Sequence, residues 1–340
     1  MPVRALMIGP SLRPWARLVA EQSIVPLELD VAPSYRDEDV CPLLPDVDIA
    51  ITSHWSPAMG PAARRLRFIQ MPGAGWDKLD AEAIPEGVLV ANCYEHEWGI
   101  AEYTMMMCLV LARELLPANQ AIRQADWRYM FAAGHPLYPE LGGQTLGIVG
   151  LGRIGRAVAE LAGAFRMRRI GLDANRVSAE QRRTLGLEWV GGPDDLPRLF
   201  GESDFVVFAI PLSENTRGWI GARELSWLKS SAFLINPARA EIFDERALYE
   251  ALRDRSVRGA ALDPWWHYPK LDECVAPSEF PFAVLDNVVM TPHYSGSTDK
   301  TVERRMQVVV DNLNRYFRGE PVVNIVAELS RHQAREAVAR

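Results

Sequence analysis

Cysteine is scarce in this chain of 340 residues: Cys41, Cys93, Cys108 and Cys274 lie far apart, with no Cys-x-x-Cys pair and no neighbouring histidine at ligand spacing. Neither a zinc site nor a disulfide framework is indicated, and a reducing, cytoplasmic setting is expected. Basic charge is also short, 37 Lys and Arg against 44 Asp and Glu for a net charge of −7. That balance argues against a nucleic-acid partner or an anionic membrane surface, both of which draw on local Lys/Arg excess. No apolar run approaches the ~20 residues of a spanning helix; the stretch 105–111 is far too short, and the first residues carry no cleavage signal. Repeats and low-complexity tracts are absent as well. What remains is a globular composition, 48% hydrophobic and 24% charged, long enough for about two domains at roughly 150 residues each.

Short β-rich runs at 3–9, 48–52, 67–71 and 88–92 alternate with helix-length amphipathic stretches, the rhythm of βαβ units. A long apolar helix over 100–113 then interrupts the pattern, placed to pass between domains. A second series follows at 146–150, 168–173, 187–190, 205–210, 233–237, 260–263 and 288–291, sufficient for a doubly wound domain by itself. Helical spacing of Val302, Met306, Val309, Val310, Leu313 and Phe317 predicts a helix over 301–317 that buries one face and returns the chain to the first domain. The polar segment 329–340 reads as a weakly docked tail. The expected fold is α/β, two Rossmann-like doubly wound parallel-sheet domains with a cleft between them. Residues 1–102 plus 297–340 would form one domain and 103–296 the other.

Gly150-Leu151-Gly152-Arg153-Ile154-Gly155 directly follows an expected strand and opens an expected helix. Glycines there permit a tight turn, close approach of backbone to a pyrophosphate, and close helix–strand packing, while the helix N-terminus offers unpaired N–H groups. Asp173 ends the next strand at about the spacing where a carboxylate accepts from ribose hydroxyls; a turn or N-cap aspartate is the alternative. Its charge opposes a 2′-phosphate, which favours NAD over NADP, although Arg176 offers partial compensation. Arg239 lies just past another strand, where open α/β sheets place ligands, and its planar fork suits a carboxylate, with a surface ion pair as the other reading. His293, after Pro292 at a further strand end, is the strongest of six histidines for moving a proton near neutrality. Trp55 and His96, with His54 and Trp98, sit after strand-like runs and would set substrate shape or simply pack an interface.

In this order the motifs resemble the D-isomer-specific 2-hydroxyacid dehydrogenase family over nearly the whole chain. The segment from Asn92 through Ala101-Glu102-Tyr103, Trp127, the glycine turn, Pro211-Leu212-Ser213-Glu214-Asn215-Thr216, Ile235-Asn236-Pro237-Ala238-Arg239, Ala261-Leu262-Asp263 and Thr291-Pro292-His293 carry the resemblance. It implies that Pro211 and Thr216 lie under the adenosine and that Arg239 binds the substrate carboxylate and polarises its 2-carbonyl. It further implies that Ala74 and Gly75 of Gly73-Ala74-Gly75-Trp76 hold the carboxylate through backbone N–H groups. Asp263 would face the nicotinamide carboxamide with the backbone of Pro237 and Ala238 nearby, or else cap the loop that follows it. The activity implied is hydride transfer between NAD(H) and a small 2-hydroxy or 2-oxo acid of the glyoxylate or hydroxypyruvate kind, without a metal, in a homodimer.

One position departs from the family. A glutamate usually stands five residues after the aspartate and pairs with the histidine, but Asp263-Pro264-Trp265-Trp266-His267-Tyr268-Pro269 puts Tyr268 there. A tyrosine hydroxyl, neutral below about pH 10, offers a hydrogen bond and no charge. Alternatively, an insertion through 270–282 brings Asp272 or Glu273 to the histidine. The missing glutamate leaves open a formate- or phosphite-like oxidation without a proton relay, and the resemblance, whose superfamily includes corepressors, leaves open a nucleotide-binding corepressor without turnover.

Overall fold

Seven of the parallel strands in the computed structural model belong to one sheet and five to another, and the structure describes residues 2–269, 273–326 and 329. The chain divides into two compact units, Met1–Glu95 with Asp299–Arg340, and His96–Thr298.

In the first unit β1 (Val3–Ile8), β2 (Leu27–Ala32), β3 (Ile49–Thr52), β4 (Phe68–Gln70) and β5 (Leu89–Ala91) are ordered β2-β1-β3-β4-β5, all parallel. Every residue of β3, β4 and β5 is buried, as expected of parallel strands covered on both faces. The sequence pattern missed β2 because it is an edge strand whose alternate positions, Glu28 and Asp30, face solvent and break up the apolar run. The helix Asp299–Arg318 buries Met306, Val309, Val310 and Leu313 against Phe68, Ala5 and Met7. Its Asn312, fully buried, donates to the Gln70 side chain (2.9 Å) and to the Val323 carbonyl (3.0 Å) and accepts from the Val323 N–H (3.0 Å). Beyond it Ile325 bridges Ala91 in antiparallel fashion and the Val326 N–H bonds to Val90 O at 2.9 Å, so this segment covers the open edge of β5.

The second unit holds β6 (Thr145–Val149), β7 (Arg168–Leu172), β8 (Val190–Gly191), β9 (Phe205–Phe208), β10 (Phe233–Asn236), β11 (Gly259–Leu262) and β12 (Val288–Met290), ordered β12-β11-β10-β9-β6-β7-β8 and parallel throughout. Counted from β6 this is the doubly wound 3-2-1-4-5-6 order with one strand added, and the order reverses between β6 and β9. The helix Glu97–Ala112 packs Ala101, Met105 and Cys108 with Ala157, Val158 and Ala162 of the helix Arg153–Ala164 in one core. That packing places it wholly in the second unit. The boundary expected after residue 102 would cut this helix, and the chain passes between units before it instead.

Candidate active site

At the reversal point the chain leaves β6 through Gly150, whose φ of +97° only glycine adopts readily, and a Cβ there would lie 2.6 Å from Ala209 O beyond β9. A Cβ on Gly155 would meet Gly150 O at 1.9 Å, so the turn and its helix touch backbone to backbone. A Cβ built on Gly152, which caps the helix Arg153–Ala164, would meet nothing within 4 Å apart from its chain neighbours and the helix's own backbone. Open space against the N-terminus of a twelve-residue helix is the cradle a pyrophosphate needs, and the residues fit a dinucleotide. Arg156 Nε donates to Leu151 O at 2.8 Å and fixes the turn from below, while Arg153 pairs with Glu97 at 3.4 Å and Ile154 is half-buried. Asp173 accepts the Leu151 N–H on Oδ2 and the Asn175 N–H on Oδ1, both at 2.7 Å. Each oxygen keeps acceptor capacity for a ribose hydroxyl. In the loop after β9, Thr216 Oγ1 donates to Pro211 O (2.8 Å) and accepts the Ser213 N–H (2.8 Å), closing 211–216 on itself.

The ends of β10, β11 and β12 carry the titratable groups. Asn236, buried at the end of β10, donates from Nδ2 to Arg239 O (2.8 Å) and accepts the Ala238 N–H (3.1 Å), folding the turn that presents Arg239. The guanidinium donates through Nη1 to Ala238 O at 2.8 Å, and Pro237 and Ala238 are themselves buried. Asp263, with 0% exposure, takes Thr291 Oγ1 (2.6 Å) and the Tyr294 N–H (3.0 Å) on Oδ1 and the Ser295 N–H (3.0 Å) on Oδ2. Tyr103 reaches the same threonine hydroxyl at 2.8 Å. These bonds, with the His293 N–H on Asp263 O, hold His293 at a φ of +55°, a left-handed conformation that a non-glycine residue adopts only when its surroundings impose it. The structure shows Asp263 capping the loop that follows it, a carboxylate with no exposed area and three acceptor bonds from that loop.

Tyr268 Oη lies 2.7 Å from His293 Nδ1 and accepts the Trp265 N–H at 3.2 Å. The Trp265 indole N–H donates to Thr291 O at 2.8 Å, so one buried residue ties both sides of the pair. Burial raises the Tyr268 phenol above its ordinary range; the Trp265 N–H and the Arg239 charge pull it back, and Glu241 and Asp263 push it further up. The positioning roles of Tyr103 and Trp265 were not visible in the sequence, because each acts through a bond to Thr291, distant in the chain; Asn236 acts within its own turn.

Other expectations fare differently. Trp55 is 1% exposed, sits in the core of the first unit and donates its indole N–H to Ala83 O at 3.3 Å, which removes it from the substrate contacts. In the same unit Ala74 O accepts Asn92 Nδ2 at 3.0 Å, and Gly75 is exposed. His96, largely buried, precedes the helix Glu97–Ala112 beside the loop after His293, where a Cβ on Gly296 would lie 3.5 Å from His96 Cβ. Glu273 is exposed, and Asp272 lies outside the described residues. Among the described residues no group of His, Cys, Asp and Glu is placed to hold a metal, and no helix is long and apolar enough to cross a membrane.

Residues 105–295 match the family model described as D-isomer specific 2-hydroxyacid dehydrogenase, NAD binding domain. A D-3-phosphoglycerate dehydrogenase of Methanocaldococcus jannaschii is 33% identical over 304 residues, 88% of this chain and 55% of the relative, so the chain spans about half that protein's length. A glyoxylate reductase of Korarchaeum cryptofilum is 34% identical over 78% of this chain and 77% of its own. Among solved structures, an acyclic imino acid reductase in complex with NADPH and D-Arg superposes with a TM-score of 0.80 at 26% identity, covering 96% of this chain and all of its own.

Proposed function

The chain belongs to the D-isomer specific 2-hydroxyacid dehydrogenase family, and from that premise we propose that it interconverts a small 2-oxo acid, of the glyoxylate or hydroxypyruvate kind, and the corresponding 2-hydroxy acid with NAD(H). The carrying observation is the contact of 2.7 Å between His293 Nδ1 and Tyr268 Oη, at the same carboxyl edge of the sheet as Arg239 and the glycine turn. The turn 150–155, Asp173 and the loop 211–216 would hold NAD(H), which when bound would supply or accept the hydride. Arg239 grips the substrate carboxylate through two parallel bonds and polarises the adjacent carbonyl. His293 exchanges a proton with the substrate oxygen, Asp263 holds its loop, and Tyr268 stands where the family's glutamate would. Ala74 and Gly75 of the first unit, and His96 of the second, are the proposed further substrate contacts.

A homodimer is part of the same reading. It is supported by apolar side chains in the second unit that stand in solvent, Leu115, Leu116, Trp127, Phe131 and Leu137, the last two 70% and 78% exposed. Four free cysteines fit a reducing cytoplasm.

The test is a panel of 2-oxo acids with NADH and NADPH, and of formate and phosphite with NAD, alongside His293→Ala. Turnover of a 2-oxo acid that favours NADH and collapses in the variant is expected. Turnover of formate alone, surviving in His293→Ala, would replace this reading with an oxidation that moves no proton, and tight NADH binding without any turnover would replace it with a ligand-sensing role.

A further inference from the structure

We propose that the proton delivered to the substrate oxygen originates on Tyr268, passing through His293 as a two-step relay, with Trp265 as the positioning residue that aims the phenol. The proposal rests on the 2-oxo acid reading above. Its geometry begins with the hydroxyl inventory: a phenol has one proton and two acceptor sites. The Trp265 backbone amide can only donate, and at 3.2 Å it occupies one acceptor site of Oη. Directing the phenol proton at His293 Nδ1, 2.7 Å away, satisfies both groups and leaves the ring proton on Nε2. In that tautomer Nε2 carries the hydrogen that a substrate carbonyl would accept.

A neutral imidazole giving up its only proton would become an anion, too basic an outcome to drive reduction. The relay avoids this. As the carbonyl carbon gains its hydride, the carbonyl oxygen takes the Nε2 proton, Nδ1 takes the Tyr268 Oη proton, and the ring ends neutral in its other tautomer. The negative charge formerly due on the alkoxide rests on the phenolate oxygen. A phenol, with an ordinary pKa of about 10, is far more acidic than the aliphatic hydroxyl formed, so the transfer runs downhill. Burial opposes the phenolate most, with Glu241 and Asp263 adding to it, while the Trp265 N–H and the Arg239 charge favour it; even so, the phenol stays far more acidic than the alcohol formed. Tyr268 is 40% exposed, so water restores its proton after each turnover. Oxidation of the hydroxy acid runs the same transfers backwards. A carboxylate in this place could stabilise an imidazolium but not deliver a proton at neutral pH; the tyrosine does the converse.

Tyr268→Phe in the full chain, saturated with NADH and an active 2-oxo acid, is expected to lower kcat by about 100-fold or more, in the range of general acid catalysis, with KM and NADH binding little changed. The solvent deuterium effect on kcat should curve with deuterium fraction in the wild type, from two protons in flight, and become linear in the variant. Fluorotyrosine at position 268, which keeps the shape and lowers the phenol pKa, should move the alkaline limb of kcat to lower pH. A Tyr268→Phe enzyme within threefold of wild type, or a limb that ignores fluorination, overturns the relay while leaving the dehydrogenase reading intact. A wild type without turnover on any 2-oxo acid overturns both.

Discussion

Replacing Asp263 by Asn exchanges one oxygen of a buried carboxylate for an amide nitrogen and keeps its volume. The carboxylate serves three donors: Thr291 Oγ1 and the Tyr294 N–H on one oxygen, the Ser295 N–H on the other. In Asp263→Asn the amide nitrogen would point at the Ser295 N–H, donor against donor, and flipping the amide would leave two donors facing nitrogen instead of one. An unpaired buried donor costs about 1–3 kcal/mol, and the two surviving bonds fall from charged to neutral strength, a further ~1 kcal/mol each. The expected loss is about 3–5 kcal/mol, a large part of the 5–15 kcal/mol that stabilises a typical domain. The loop must relax to relieve it, and with the loop goes the left-handed backbone of His293. Urea unfolding should show the lower midpoint, and kcat/KM for a 2-oxo acid should fall more than tenfold while NADH still binds. An Asp263→Asn protein within about 0.5 kcal/mol of wild type, the spread of an ordinary surface substitution, with unchanged kcat would refute the assignment of Asp263 as the anchor of that loop.

Asp173→Ala removes an acceptor from the Leu151 and Asn175 N–H groups and, on the proposed reading, from the ribose, so fluorescence titration should show weaker binding of both nucleotides, with the larger loss for NADH; an unchanged ratio of the two affinities would take Asp173 out of the cofactor site. Arg239→Lys keeps the charge and loses the fork, and steady-state kinetics should show kcat/KM lower by roughly 10²-fold; near-wild-type values on every active oxo acid would refute the carboxylate role. Thiol labelling should proceed in the order of exposure, Cys274 first and Cys41 next, with Cys93 and Cys108 silent until the chain unfolds. Burial pushes the Cys108 thiol up to about 12, which keeps it protonated and unreactive throughout the neutral range; labelling of Cys108 in the native protein at pH 7 would contradict its placement.

Features written in local chain geometry were the most legible. The glycine turn could be read because Gly150 and Gly155 each stand where a side chain is sterically forbidden, and such demands restrict the residue type directly. The acidic edge strand β2 was invisible to a search for apolar runs, although the same alternation is what an edge requires. Trp55 was misplaced because a residue just beyond a strand can turn to either side, and only the position of Ala83, 28 residues on, decides that it turns inward. Counting five residues from Asp263 singles out Tyr268, but its hydroxyl meets His293 through a loop tied by Trp265, whose backbone and indole bonds no linear pattern encodes.

The covering of β5 by the segment around Ile325, and the buried bond between Gln70 and Asn312, set a timetable for synthesis. Residues 1–95 leave the ribosome as five strands without the helix Asp299–Arg318 that closes their sheet, whereas 96–298 is one continuous stretch that can fold as it emerges. At about 5–20 residues per second the roughly 200 intervening residues take about 10–40 s to make. Throughout that interval the nascent first unit exposes apolar surface and an unpaired strand edge, the combination that chaperones bind and that aggregation exploits. The first-made unit is thus completed last, and premature termination before the helix Asp299–Arg318 strands it without the partner its core was built to receive.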